Sequence, residues 1–347
     1  MAARPFESAR ARASRFAPAA LLVLGGVACT DAGAKTALAP TSTAAPAPAL
    51  APTSTAAPAR ATDARLQAIA DDEARRLHAE WGAERVVILV LEPRTFALLA
   101  SSDDAPGQPI VPASTLKPLV VALALDAELI TPEQRFDCGN GSRHYASLVL
   151  RDVGAYGSLN SAEILATSSN VGTSRIFDVL GGERLGAGLG RFHVDAPADI
   201  PSGTLRGAII AMGEASTTTP YSLVSAYGVL ANGGLFASVG NAPPERVLKA
   251  STVTTLLTML EGVVSGERGT GKAAAVAGVR VGGKTGTSDP ACCVEGSGTV
   301  ANFVGIVPID APRWVIYVGV AKPSKEGSGA TIAAPAFSRI ATRALSL

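Results

Sequence analysis

The chain has 347 residues, a formal net charge of +1 and 17% charged side chains, so it lacks the basic field that holds nucleic acid, and no nucleic-acid partner is expected. Its length admits one large domain or two small ones, and the first sixty or so residues lack the composition to fold.

At the N-terminus, Arg4, Arg10, Arg12 and Arg15 precede an apolar stretch from Phe16 to Ala28, with small residues before Cys29. That is the build of a secretory signal peptide, and it is too short to span a bilayer comfortably. The tetrapeptide ending at Cys29 resembles a bacterial lipobox, with Gly26 where leucine usually stands. Residues 1–29 are therefore expected to be a signal peptide or lipoprotein signal, with Cys29 as the lipidation position and an uncleaved anchor as the alternative. The product would be exported to the periplasmic or cell-envelope face. Residues 30–62 are rich in Ala, Pro and Thr and repeat LAPTSTAAPA at Leu38 and Leu50, which predicts an extended linker. Residues 63–347 are left for the folded domain.

Within it, apolar and charged positions alternate at helical spacing from Arg65 to Ala79. RVVILVLE and TFALLAS, separated by Pro93-Arg94, read as a hairpin. A Gly/Pro/Asp loop leads to a helix whose N-cap hydroxyl would be Ser114 or Thr115, with Pro118 in the first turn and Leu119–Leu125 buried. Helical segments dominate from about Thr131 to Val264, including a stop at ANGG after Leu230. Three β-like runs follow, VRVGGKTGTS, ANFVGIVPI and RWVIYVGVAK, and then a helix from Ala334 to Leu345. The order predicts an α+β fold: an antiparallel β-sheet flanked by terminal helices, with an all-helical subdomain.

Cys138, Cys292 and Cys293 could form one disulfide from Cys138 to either neighbour, and sequence does not choose between them. The paired cysteines lack zinc-ligand spacing, and neither metal nor cofactor is expected. His78, His144 and His193 sit in no HExxH or triad-like context and read as structural or solvent-facing. Asp152 and Glu214 have no partner at recognisable spacing and receive no role.

Catalytic chemistry enters with PASTLKP. A serine hydroxyl is a weak nucleophile until a neighbour takes its proton, and a lysine does so once burial or nearby cations lower its pKa. Residues three apart share a helix face, so Lys117 can reach Ser114. Lysine is scarce here, seven against twenty-three arginines, and no other Ser-x-x-Lys occurs. Downstream, Ser168-Ser169-Asn170 interrupts a helical pattern and Lys284-Thr285-Gly286-Thr287 lies in a β-like run.

Ser-x-x-Lys, Ser-x-Asn and Lys-Thr-Gly in that order are the signature of the active-site serine penicillin-recognising enzymes. From about Arg85 onward the chain resembles the transpeptidase domain of the class B penicillin-binding proteins in PASTLKP, SSNVG, LVSAYGVLANGG, GERGTGKAA, GGKTGTS, NFVGIVP and AAPAF. It departs from that family in the low-complexity segment that precedes the domain, where members usually carry a transmembrane helix and a pedestal domain. Tyr156-Gly157 also stands where many members have His-Gly, and DPACCVEGSG is unusual in its paired cysteines.

The resemblance implies a penicillin-binding D,D-transpeptidase that cross-links peptidoglycan stem peptides through a serine acyl-enzyme. Ser114 would be the nucleophile and Lys117 its base. Ser168 would relay a proton to the leaving amine, and Asn170 would hold the substrate backbone and orient Lys117. Lys284 would keep the site electropositive, Thr285 and Thr287 would bind the terminal carboxylate, and Gly286 would permit close backbone approach. The N–H groups of Ser114 and Thr287 would form the oxyanion hole. β-Lactams would be inhibitors, and a glycan polymerase or other cell-wall synthesis protein is a possible partner. A class A β-lactamase is disfavoured, because VDAPADIPSGTLRGAII lacks the deacylating glutamate. A D,D-carboxypeptidase or endopeptidase, and a non-turnover sensor of β-lactam or muropeptide, remain alternatives.

Overall fold

The computed structural model describes residues 62–102, 106–237, 243–288 and 298–347. The expected leader with Cys29, nearly all of the expected linker, and Cys292 and Cys293 with any disulfide to Cys138 lie outside those residues.

Helix α1 (Ala64–Trp81) is opened by Asp63, whose carboxylate accepts from Arg65 N (2.9 Å) and Leu66 N (3.2 Å). Strands β1 (Arg85–Leu91) and β2 (Leu98–Ser101) follow, then a 3₁₀ turn (Ala113–Leu116) that runs into α2 (Lys117–Asp126). A long insert holds β3 (Arg135–Asp137), β4 (Ser142–Tyr145), β5 (Leu148–Arg151) and β6 (Ser158–Asn160). It continues through α3 (Ser161–Thr167), α4 (Asn170–Leu180), α5 (Gly182–Arg191), α6 (Leu205–Ala211), α7 (Pro220–Ala231), β7 (Leu235–Phe236), β8 (Glu245–Arg246) and α8 (Ala250–Ser265). Strands β9 (Gly282–Thr287), β10 (Val300–Val307) and β11 (Trp314–Ala321) precede α9 (Ala334–Leu345).

The main sheet has the order β2-β1-β11-β10-β9 and is antiparallel throughout. Successive side chains on a strand face opposite ways, so each strand feeds two cores. Val86, Ile88, Val90, Ile316 and Val318 pack with Leu66 and Leu77 of α1 and with Phe337 and Ile340 of α9. Val87, Leu89, Leu91, Val315 and Tyr317 pack with α2, α7 and α8 through Leu119, Tyr227 and Leu260. Burial on both faces explains why RVVILVL and WVIYVGV are apolar without alternation. The terminal helices are joined by a charge pair: Arg339 donates twice to Glu73 Oε1 (2.9 and 2.5 Å), and Glu73 is only 4% exposed.

The expected α+β fold, antiparallel sheet and flanking terminal helices are all present. The subdomain, however, is not all-helical. It carries three two-stranded ribbons, β3–β6, β4–β5 and β7–β8, whose runs of two to four residues are too short to impose a visible period of two. Strand β2 starts at Leu98 rather than Thr95, because Glu92 accepts from Arg94 N (3.1 Å) and Thr95 N (2.8 Å) and folds those residues into the turn. Neither Ser114 nor Thr115 caps α2: the 3₁₀ turn supplies its first helical residues, and Thr115 Oγ1 donates to Pro112 O (2.5 Å) instead. The ANGG stop is as expected, with Gly233 and Gly234 at positive φ after α7.

Candidate active site

Every residue from Ile110 to Leu125 is buried except Ser114, which is partly exposed. The turn that presents it is held from three sides. Tyr227 of α7 donates its hydroxyl to Thr115 O (2.8 Å), and Asn302 of β10 donates to Val111 O (3.0 Å) while accepting from Tyr317 OH (2.6 Å). From below, Ala113 donates its N–H to Gly213 O (3.0 Å), and Gly213 at φ +83° lies so close that a Cβ would fall 2.2 Å from Ala113 O. Ala113 is itself in the left-handed region (φ 49°), an unfavourable conformation for a non-glycine residue, which the surrounding contacts enforce.

Lys117 follows Ser114 by one 3₁₀ turn, so the two side chains rise from the same face. Its amine is fully buried and reaches across to the α3–α4 junction, donating to Ser168 O and Asn170 Oδ1, each at 2.7 Å, and lying 3.5 Å from Ser168 Oγ. Among the described residues the Ser114 hydroxyl makes no hydrogen bond. Arg151 O can only accept, so the Asn170 amide, with Nδ2 on Arg151 O at 2.9 Å, turns its Oδ1 to the Lys117 amine.

The junction itself is a deliberate break. Helix α3 ends with Ser168 in the left-handed region (φ 57°), and α4 restarts with Ser169 as N-cap, its Oγ accepting from Gly172 N at 2.8 Å. Asn170 is the first residue of α4. Asp152 fixes this start, accepting from Ser169 Oγ (2.6 Å), Asn170 N (2.5 Å) and Val171 N (3.0 Å), as suits a carboxylate at a helix N-terminus.

From the opposite wall, Lys284 of β9 is also fully buried and donates to Ser168 Oγ (2.9 Å) and Thr285 O (3.0 Å). One hydroxyl thus stands between two amines. Burial pushes the Lys117 pKa down to about 8 against the opposing pull of Asp152 and Glu214, and burial together with the charge on Lys117 drives Lys284 well below the ordinary lysine range. The pair therefore holds fewer protons near neutral pH than two free lysines would.

Strand β9 is the edge of the main sheet. A Cβ on Gly286 would sit 3.0 Å from both Pro112 O and Thr115 Cγ2, so glycine lets the strand press against the turn that carries Ser114. Thr285 Oγ1 is 2.8 Å from Thr270 Oγ1, and Thr287 Oγ1 accepts from Gly329 N (2.9 Å). The 3₁₀ turn and α2 with Ser114 and Lys117, the α3–α4 junction with Ser168 and Asn170, and the Lys284–Thr287 run are thus brought together. Sequence reading passed over Asp152 and Glu214. Asp152 builds the Asn170 position and Glu214, buried one residue after Gly213, acts on the Lys117 charge; their distance along the chain left no local signal. Cys138 is buried with Ser169 Oγ 3.9 Å from its sulfur.

Residues 86–342 match the penicillin binding protein transpeptidase domain family. The chain belongs to that family. It is 29% identical over 331 residues to the probable peptidoglycan D,D-transpeptidase PenA of Neisseria flavescens, covering 82% of this chain and 81% of that protein. It is 28% identical over 341 residues to the probable peptidoglycan D,D-transpeptidase FtsI of Caulobacter vibrioides, covering 81% of this chain but 57% of the relative. The PenA protein of Neisseria gonorrhoeae is likewise matched over only 55% of its length. Among solved structures, the transpeptidase domain of Burkholderia pseudomallei penicillin-binding protein 3 superposes with a TM-score of 0.73 at 27% identity, covering 82% of this chain and 95% of that domain. The matched span runs through the 3₁₀ turn, the α3–α4 junction and β9.

Proposed function

We propose that the chain is a serine D,D-transpeptidase that acts on peptidoglycan stem peptides ending in D-Ala-D-Ala. The observation that carries this reading is the pair of buried amines on Ser168 Oγ beside the one accessible side chain of a buried turn. Family membership and the D,D-transpeptidase names of the relatives support it.

A neutral Lys117 has two N–H bonds and one lone pair. Ser168 O and Asn170 Oδ1, both at 2.7 Å, take the two N–H bonds, which leaves the lone pair to accept the Ser114 proton. Ser114 Oγ then attacks the carbonyl between the two alanines. Lys284 donates to Ser168 Oγ, so the Ser168 proton turns away from Lys284, toward Lys117 or the departing amine, and the hydroxyl serves as a relay. Thr285 and Thr287, two positions apart on β9, would hold the terminal carboxylate. The Ser114 N–H lies in the first turn of its helix, where backbone donors lack intrahelical partners, and with the Thr287 N–H it would stabilise the oxyanion. Unpaired backbone groups on the outer edge of β9 suit an extended peptide added as a further strand.

Release of D-alanine from a stem peptide, measured with and without an amine acceptor, tests the reading. Transfer product supports it. Release to water alone would favour a D,D-carboxypeptidase, and no release alongside stoichiometric penicillin labelling would favour a sensor. β-Lactams would acylate Ser114 as substrate mimics, and a glycan polymerase or other cell-wall synthesis protein would supply the strands. An export leader with lipid on Cys29 would place the domain at the cell envelope; mass spectrometry of the mature N-terminus checks this, and an unmodified terminus elsewhere would reject it.

A further inference from the structure

The Arg268 guanidinium lies over the Tyr156 ring, 5.1 Å from its centroid. The two come from segments far apart in the chain, Tyr156 from the segment between β5 and β6 and Arg268 from the segment between α8 and β9. Both segments are fastened to the site. Two residues beyond Arg268, Thr270 donates its N–H to Ala166 O (3.1 Å) and meets the Thr285 hydroxyl at 2.8 Å. Four residues before Tyr156, Asp152 holds the Asn170 N–H. The Tyr156 ring also lies against Gly154, where a Cβ would come within 2.8 Å of its Cε1, Cζ and hydroxyl atoms. The ring is half-buried and the guanidinium exposed, and no carboxylate among the described residues pairs with Arg268.

A guanidinium resting on an aromatic face is restrained by the ring and keeps its fork of donors for a carboxylate. Its position selects which part of the reaction it serves. Thr285 is one of the hydroxyls that would take the carboxylate of the leaving D-alanine, and the Thr270–Thr285 contact puts Arg268 on that flank. Whatever amine replaces D-alanine must approach from the side that D-alanine vacated.

Resting on the transpeptidase reading, we propose that Arg268, held on Tyr156, is a subsite for a free carboxylate on the acceptor strand, so that the chain selects amine acceptors bearing an acidic group. In that step the acceptor nitrogen bonds to the acyl carbon, the bond from that carbon to Ser114 Oγ breaks, and the amine proton returns to Ser114 Oγ through Lys117.

The acyl-enzyme partitions between water and an added amine, and the ratio of transfer to hydrolysis does not depend on how much of the protein is active. The full chain, R268Q, Y156L and Y156F are each given an amine acceptor peptide with a free carboxylate and its carboxamide twin. The unmodified chain should favour the acid by about fivefold, the upper range for a partly exposed ion pair. R268Q and Y156L should bring the two acceptors level, and Y156F, which keeps the ring, should retain most of the preference. Equal ratios in the unmodified chain, or a preference unchanged in R268Q, overturn the subsite while the transpeptidase reading stands. A preference that follows a carboxylate on the donor peptide overturns it as well. Hydrolysis without transfer to either acceptor overturns the transpeptidase reading itself, and the subsite with it.

Discussion

Lys284 donates to Ser168 Oγ at 2.9 Å, and the same oxygen lies 3.5 Å from the Lys117 amine. The hydroxyl stands between two buried amines and gives a proton a path between them. Replacing Ser168 with alanine removes the path while leaving Ser114 and both lysines in place. Acylation by a chromogenic β-lactam should slow by about a hundredfold or more, the size of a lost general acid–base contribution. A change of less than threefold would show that Ser168 only spaces the lysines.

Lys117 has its pKa lowered to about 8, chiefly by burial, with Asp152 and Glu214 opposing the shift. The neutral base grows as pH rises, so the acylation rate should climb about tenfold per pH unit below pH 8 and level off above it. Asp152→Asn removes one opposing charge, and the midpoint of the profile should move to lower pH. A midpoint that stays or rises would contradict the coupling.

The same shift acts on stability. Between about pH 8 and the ordinary lysine pKa of 10.5 the unfolded chain binds more protons at this residue than the folded one. The contribution of Lys117 is therefore least favourable below pH 8 and improves through that window, with Lys284 acting in the same direction. Urea midpoints compared between the unmodified chain and Lys117→Met should show a shallower rise with pH in the variant.

Gly213 supports the nucleophile's turn through its positive φ and its contact with Ala113. Gly213→Ala meets both obstacles and should destabilise the domain by about 1–3 kcal/mol. It should also slow acylation even where the protein remains folded, because the displaced atoms adjoin Ser114. Thermal unfolding and penicillin labelling of the folded fraction separate the two effects.

Much of the site was legible in the sequence because its chemistry is carried by short local strings. The three strings holding Ser114 and Lys117, Ser168 and Asn170, and Lys284 to Thr287 are far apart in the chain yet meet in the fold. What escaped is long-range. Asp152 meets the start of α4 some eighteen positions later, and Glu214 reaches the field of Lys117 from nearly a hundred positions away, so neither has a spacing to recognise. In the fold, long apolar strands and helices were plain from periodicity, whereas the short ribbons of the insert were not. The hydroxyls beside α2 match an N-cap pattern, but the 3₁₀ turn takes over that task and leaves Ser114 free to face the cleft.

The most direct test of the central claim is intact and peptide-level mass spectrometry after exposure of the protein to penicillin. One penicilloyl group per chain, located on Ser114 and absent from Ser114→Ala, is the predicted result. An adduct that persists in Ser114→Ala, or that maps to another residue, would contradict the assignment of Ser114 as the nucleophile served by Lys117.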